Sequence, residues 1–176
     1  MKIGFFTDSY FPEIDGVTYT LKLWKERLEK RGHEVFIIYP DSKEYEPKNN
    51  EIPVRSFSNP FYKGYNVPLP LSLSKFPEDL DIIHCHSFAP IGISGRLHGY
   101  KHDIPTFYTH HTPLEEYFVQ AVKSEMVADF LGKIYVPFEN RYLRTFDQVT
   151  ANTSEIPRKV DTRELAVGID LDFFQP

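Results

Sequence analysis

The first forty residues constrain the fold more than any other stretch. Ile3 to Thr7 reads as a short buried strand that stops at Asp8-Ser9-Tyr10-Phe11-Pro12, where the proline prevents continuation. Asp15-Gly16 then opens a helical pattern. Val17, Leu21, Trp24 and Leu28 recur on one face, while Lys22, Lys25, Glu26, Glu29 and Lys30 take the others. Arg31-Gly32 closes it, with a cation near the negative end of the helix dipole and a glycine that tolerates positive φ. Val35 to Tyr39 is a second buried strand, ended by Pro40. Strand, glycine-bearing turn, helix and strand make a βαβ unit, whose crossover is right-handed and whose strands are parallel.

The alternation continues along the chain. After a polar loop from Asp41 to Asn50, Ile52 to Phe57 reads as a third strand. Asn59 to Ser74 carries prolines and aromatics without a period and reads as an irregular excursion. Asp81 to His86 is a buried strand, Gly92 to His102 a helix with a small-residue face (Gly92, Gly95, Gly99), and Ile104 to Thr109 a further strand. Leu114 to Phe146 is largely helical with a break near Gly132–Pro137, and Gln148 to Ala151 and Leu165 to Val167 are the last strands. The expected fold is α/β, a Rossmann-like doubly wound parallel sheet in a single domain over residues 1–176. Ligands of such sheets bind beyond the carboxyl ends of the strands. Asp8 to Gly16, His84 to His86 and His110 to Thr112 each follow a predicted strand, so they should converge on one rim.

Charge and composition exclude several classes. Lys+Arg 20 against Asp+Glu 25 gives a formal net charge of -5, so the basic footprint of a nucleic-acid binder is missing and no nucleic-acid partner is expected. One cysteine, Cys85, rules out an internal disulfide and fits a reducing compartment. No stretch approaches the roughly 20 apolar residues that span a bilayer, and the first residues are too short an apolar run for a signal peptide. The expected location is cytoplasmic, with peripheral membrane contact compatible. The dinucleotide fingerprint G-x-G-x-x-G is absent, which disfavours a nicotinamide or flavin site. Gly16 reads in two ways. Its missing Cβ lets a ligand phosphate approach the helix N-terminus, or Asp15-Gly16 is a turn and cap and nothing more.

Four blocks resemble a known family. Asp8, Tyr10 and Pro12, then Gly16-Val17, then Gly32-His33-Glu34-Val35 match the opening of family 4 retaining glycosyltransferases, which have the GT-B architecture. The run from Asp81 to Gly95 resembles the family's H-x-H segment and the glycine-bearing helix after it. Ile104 to Tyr117 resembles I-P-x-x-x-T-x-H-T-x-x-x-x-Y. Val167 to Pro176 resembles N-G-V-D-x-x-x-F-x-P at the junction of the family's two domains, with Val167 and Ile169 departing from it. Within the family, the likeness is to diacylglycerol glucosyltransferases and related mannosyltransferases.

The resemblance implies the N-terminal, acceptor-side half of an enzyme that transfers a hexose from a nucleotide sugar to a lipid or sugar acceptor. It implies that Gly16 and the N–H of Val17 meet the donor diphosphate, that His86 is catalytic beside the transferred sugar, and that Asp8, Tyr10 and His111 line the acceptor side. No metal or cofactor is expected, the nucleotide sugar being a substrate. The family's donor half carries the Arg, Lys and spaced glutamates that hold the nucleotide, so this chain alone should be inactive.

Blander roles are weighed for the remaining residues. His84 reads as a hydrogen-bonded core histidine, Trp24 as core, His33 as a cap, Glu116 and Tyr117 as helix surface, and His98 and His102 as a solvated helix face. Of His110 and His111, extended neighbours, one alone can face the site. Two alternatives stand beside the transferase. One is a metal-dependent hydrolase using His84, His86, His110 and His111, with Asp8 as a carboxylate ligand. The other is a non-catalytic sugar or lipid-headgroup binding module. It would use the aromatics Phe61, Tyr62 and Tyr65 with the basic residues Lys22, Lys25, Arg27, Lys30 and Arg31.

Overall fold

A computed structural model of the chain describes residues 1–59, 66–69, 76–111, 113, 115, 118, 122, 124–153 and 156–165. The opening unit forms as its periodicity dictates. β1 (Lys2–Phe6) and β2 (Glu34–Pro40) are parallel neighbours, with Ile3 opposite Val35 and Phe5 opposite Ile37. α1 (Gly16–Glu29) bridges them. Asp15 caps it, its side chain accepting the Thr18 N–H at 2.8 Å, and Gly32 leaves it at φ 84°.

The remaining elements are β3 (Glu51–Val54), β4 (Ser56–Ser58), β5 (Asn66–Pro68), β6 (Ile82–Cys85), α2 (Pro90–His102), β7 (Thr106–His110), α3 (Glu125–Leu143), β8 (Gln148–Ala151) and β9 (Thr162–Glu164). Seven strands form one sheet in the order β3-β2-β1-β6-β7-β8-β9, every pairing parallel. β4 and β5 make a small antiparallel ribbon. The chain steps outward from β1 to β3, then returns to lay β6 on the other side of β1. The strand order therefore reverses between β1 and β6, which is where an open α/β sheet leaves a crevice.

Period-two alternation splits the core between the two faces of the sheet. Phe5, Leu21, Val35 and Ile37 pack on the α1 side. Phe6, Ile38, Ile83, Ile91, Leu143 and Val149 pack on the other. α2 lies close because its glycines allow it: a Cβ on Gly95 would stand 2.5 Å from the Phe6 ring, and one on Gly99 2.3 Å from Thr106 Cγ2.

Two expected elements differ. The run Ile52 to Phe57 is broken at Arg55 into β3 and β4, which belong to different sheets. α3 runs without a break through Gly132 and Pro137, because Ala128, Glu139 and Leu143 are buried along it and tertiary packing outweighs one lost hydrogen bond. Among the described residues the last strand is Thr162–Glu164, an edge strand selected by pairing with β8, while the expected strand Leu165 to Val167 runs out of the described residues after Leu165. Phe61, Tyr62, Tyr65, Glu116, Tyr117 and the block 167–176 lie outside the described residues. Among the described residues no helix is long and apolar enough to cross a membrane.

Candidate functional site

β6 and β7 carry a wall of histidines to the rim. His84 and His86 share one face of the β6 segment by period two, their rings 4.2 Å apart. His86 Nδ1 lies 3.0 Å from Nε2 of His111, the residue after β7, so one ring donates and the other accepts. Trp24 from α1 stacks on His84 at 5.7 Å, and Phe5 from β1 meets His86 edge-on at 5.4 Å. His84 Nε2 is 2.7 Å from Thr109 Oγ1, which in turn is 2.7 Å from Thr150 Oγ1.

This setting fixes the charge. Burial pushes His84 down to about 3 and His111 down to about 4, and holds His86 well below the ordinary imidazole range. All three are neutral at pH 7. They offer hydrogen bonds to a hydroxyl without adding fixed charge. His86 Nε2 is buried and has no hydrogen-bond partner, a state that favours a ligand group able to satisfy it.

The first loop meets this wall. Asp15 stands near enough for its charge to offset part of the depression at His111. Ser9 Oγ donates to Asp15. Gly16 opens α1 and is exposed, and a Cβ placed on it would find nothing within 4 Å. Gly16 and Val17 belong to the first turn, whose amides have no intrahelical acceptor and face outward at the positive end of the dipole. Val17 also packs against the α1-side core.

Asp8 and Tyr10, expected on the acceptor side, also hold structural bonds. Asp8 accepts from the Ser87 hydroxyl and from the Ile91 and Gly92 amides, each at 3.0 Å. It thus caps α2 from the end of β1, where the nominal cap residue Ala89 has no side chain to offer. Burial pushes its carboxyl up while these three donors pull it back. Tyr10 is 3% exposed, and its hydroxyl donates to Glu51 Oε1 at 2.9 Å, beneath Tyr39 and Tyr45.

His110 turns away from His111. It is buried beside Glu139, with Nε2 3.8 Å from Oε1, and burial with the Arg158 charge pushes it down to about 4. At neutral pH it is uncharged, so this contact is not an ion pair. The four histidines therefore do not converge as the hydrolase reading needs, and among the described residues none of the His, Cys, Asp and Glu side chains form a metal-holding group of three. His98, expected on a solvated face, is 1% exposed and bonds the Pro77 carbonyl at 2.9 Å. The small-residue face of α2 draws that side of the helix onto the sheet and buries it.

Two features escaped the sequence reading. Glu13 sits in the first loop, 7% exposed, with Oε1 accepting the Asn66 N–H at 2.9 Å and Oε2 without a partner. Burial pushes it up to about 7. Arg158, a residue of the stretch after β8, is clasped by Glu115 and Glu139. Neither motif nor periodicity signals these contacts.

Comparison with known proteins agrees with this architecture. Residues 14–163 match the pattern of Glycosyltransferase Family 4. The alpha-monoglucosyldiacylglycerol synthase of Streptococcus pneumoniae (strain ATCC BAA-255 / R6) is 31% identical over 192 residues, covering 99% of this chain and 42% of that protein. Its namesake from Acholeplasma laidlawii is 29% identical over 169 residues, covering 91% of this chain and 42% of that protein. The GDP-mannose-dependent alpha-mannosyltransferase of Mycolicibacterium smegmatis is 28% identical over 112 residues, 58% of this chain and 30% of that protein. The chain thus spans less than half the length of these relatives. With the pattern matched across both the helix-opening loop and the histidine wall, the chain belongs to glycosyltransferase family 4.

Proposed function

We propose that residues 1–176 form the acceptor-side lobe of a retaining glycosyltransferase that moves a hexose from a nucleotide sugar to a lipid acceptor of the diacylglycerol type. The observation that carries this reading is the open α1 N-terminus at Gly16, whose cap Asp15 lies near enough to act on His111, together with the neutral His86–His111 pair where the strand order reverses. Family membership and the names of two relatives support the substrate class.

The chemistry follows from charge. The bond from the anomeric carbon to the diphosphate breaks, a bond to the acceptor oxygen forms, and negative charge grows on the departing diphosphate, which takes the acceptor's proton. Amide dipoles at Gly16 and Val17 oppose that charge. His86, with an unmet Nε2, holds a sugar hydroxyl, and His111 orients the acceptor side. This reading needs no resident cofactor. A second lobe supplies the groups that grip the nucleotide.

A lipid acceptor sets the work at a bilayer surface. Peripheral contact is supported by α3, which presents Met126, Phe130, Ile134 and Phe138 outward at four-residue spacing. The basic side of α1 supports it less, since Lys22 and Lys25 are paired with Glu26 and Glu29. Purified isolated chain and full-length protein, each mixed with UDP-glucose and dispersed diacylglycerol, test the reading. Glycolipid should form with the full-length protein alone. His86→Ala should lower its turnover by about 100-fold with little change in melting. Robust turnover by the isolated chain, or wild-type turnover in His86→Ala, defeats the assignment.

A further inference from the structure

The most heavily charged buried cluster lies behind the histidine wall, not in it. Arg158 has a fully buried side chain. Its Nη1 and Nη2 donate to the two oxygens of Glu115 at 2.8 and 2.6 Å, its Nε donates to Glu139 Oε2, and Nη1 also reaches the Pro157 carbonyl at 2.9 Å. Glu139 on α3 is 2% exposed, and its Oε1 accepts from the Tyr135 hydroxyl at 3.1 Å. His110 completes the surroundings as a neutral ring.

Stability is a poor reason for this cluster. Burying one carboxylate and half-burying another around one buried guanidinium brings desolvation that the mutual attraction offsets only when the geometry is fixed, and apolar side chains of similar size would serve folding as well. What the cluster does achieve is position. Its fork holds Glu115 in one place, because a planar guanidinium and a carboxylate meet in a single orientation.

The place matters because of what lies between. His110 ends β7 and is paired with Ala151 of β8. Glu115, four positions after His111 in sequence, is held by the Arg158 fork. His111 therefore has a tied residue on either side of it in sequence, His110 in the sheet ladder directly before it and Glu115 in the clamp four positions after it. Arg158 follows β8, the strand next to β7, so the clamp joins the segments leaving two adjacent strands to the helix beside them.

We propose that Arg158 is a positioning residue: by bridging Glu115 to Glu139 of α3 it holds Glu115 in place and so fixes where His111, four positions before it, faces the acceptor. The proposal rests on the reading of His111 as an acceptor-side group.

The test uses full-length protein with UDP-glucose and dispersed diacylglycerol as probes, and two variants. Arg158→Lys keeps the charge and loses the fork. Glu115→Gln releases the segment and leaves the Arg158–Glu139 pair. The expected result is an acceptor KM raised about ten-fold in both, with donor KM within about two-fold of wild type. Histidine Cε1 resonances of 13C-labelled protein should show His111 displaced or broadened in both variants. An unchanged acceptor KM with a lowered melting temperature makes the cluster purely structural and overturns the proposal. If Arg158→Lys does not fold, Glu115→Gln decides. If wild-type protein does not use this substrate pair, the functional reading fails, and the His111 resonance still judges the clamp: no change on releasing Glu115 overturns it.

Discussion

Glu13 and His86 are buried at the same rim, each with one polar atom lacking a partner, and burial drives them to neutrality from opposite directions. For the base, the folded state refuses a proton that the unfolded chain accepts. The histidine contribution is therefore complete above the unfolded value near 6.5 and is lost as pH falls below it. For the acid the sign reverses. Glu13 titrates at about 7 in the folded state against 4.5 unfolded, so the folded state binds the extra proton between those limits. Its contribution is intact below 4.5 and lost as pH rises through 7. Glutamine mimics the protonated form at every pH. Glu13→Gln should thus match wild type in melting near pH 4.5 and exceed it by about 1–3 kcal/mol at pH 8. Neighbouring Asp15 raises Glu13 further and stays in place in the variant, so the comparison isolates one carboxyl. Thermal melts across that range check it, and a difference that shrinks toward alkaline pH contradicts the assignment.

At the scale of elements, two glycines with the same side chain do different things. Gly92 in α2 is demanded by packing, since an added Cβ would stand 1.9 Å from the Ser87 carbonyl oxygen, which is backbone and cannot swing aside. Gly16 at the start of α1 is demanded by nothing in the fold. Gly92→Ala should destabilise by about 3 kcal/mol. Gly16→Ala should leave melting unchanged within about 1 °C and, on the proposed diphosphate contact, lower turnover of the full-length protein by about 100-fold, because its methyl would fill the open space at the α1 amides. Denaturant curves and initial rates on the two variants separate these roles, and wild-type rates for Gly16→Ala reject the diphosphate contact. The small-residue face of α2 was legible because Gly92, Gly95 and Gly99 recur at helical spacing, and β1, α1 and β2 were legible because hydrophobic period and terminators agree there. Contacts between distant residues were not legible. Asp8 was singled out by the family resemblance, while its bonds to Ser87, Ile91 and Gly92, which cap α2, had no signal in the sequence. Arg158 meets Glu115 across 43 positions. A strand as polar as Thr162–Glu164 carries no apolar signal, and pairing with β8 alone selects it.

For the whole molecule, the described residues build one seven-stranded sheet with an apolar cluster on each side, and the proposed ligand face lies open. Both sides of the sheet have their own apolar cluster, with Phe5 and Phe6 facing opposite ways, so the chain buries a core without help from a second lobe. Among the described residues its rim offers the proposed nucleotide sugar the α1 amides and neutral histidines. A diphosphate in water gives up strong hydration for such partners, and without an enclosing second surface the exchange gains little. Ligand binding to the native state raises stability by RT ln(1 + [L]/Kd), so weak binding is directly readable as a small melting shift. The isolated chain should melt cooperatively, and about 1 mM UDP-glucose should move its midpoint by less than about 1 °C. The full-length protein under the same conditions should shift by several degrees, because two surfaces then close on the ligand. An equal shift in both would locate the nucleotide grip within residues 1–176 and remove the need for a donor lobe. A non-cooperative melt of the isolated chain would show instead that the two apolar clusters do not suffice, and that the lobe depends on its companion even to fold.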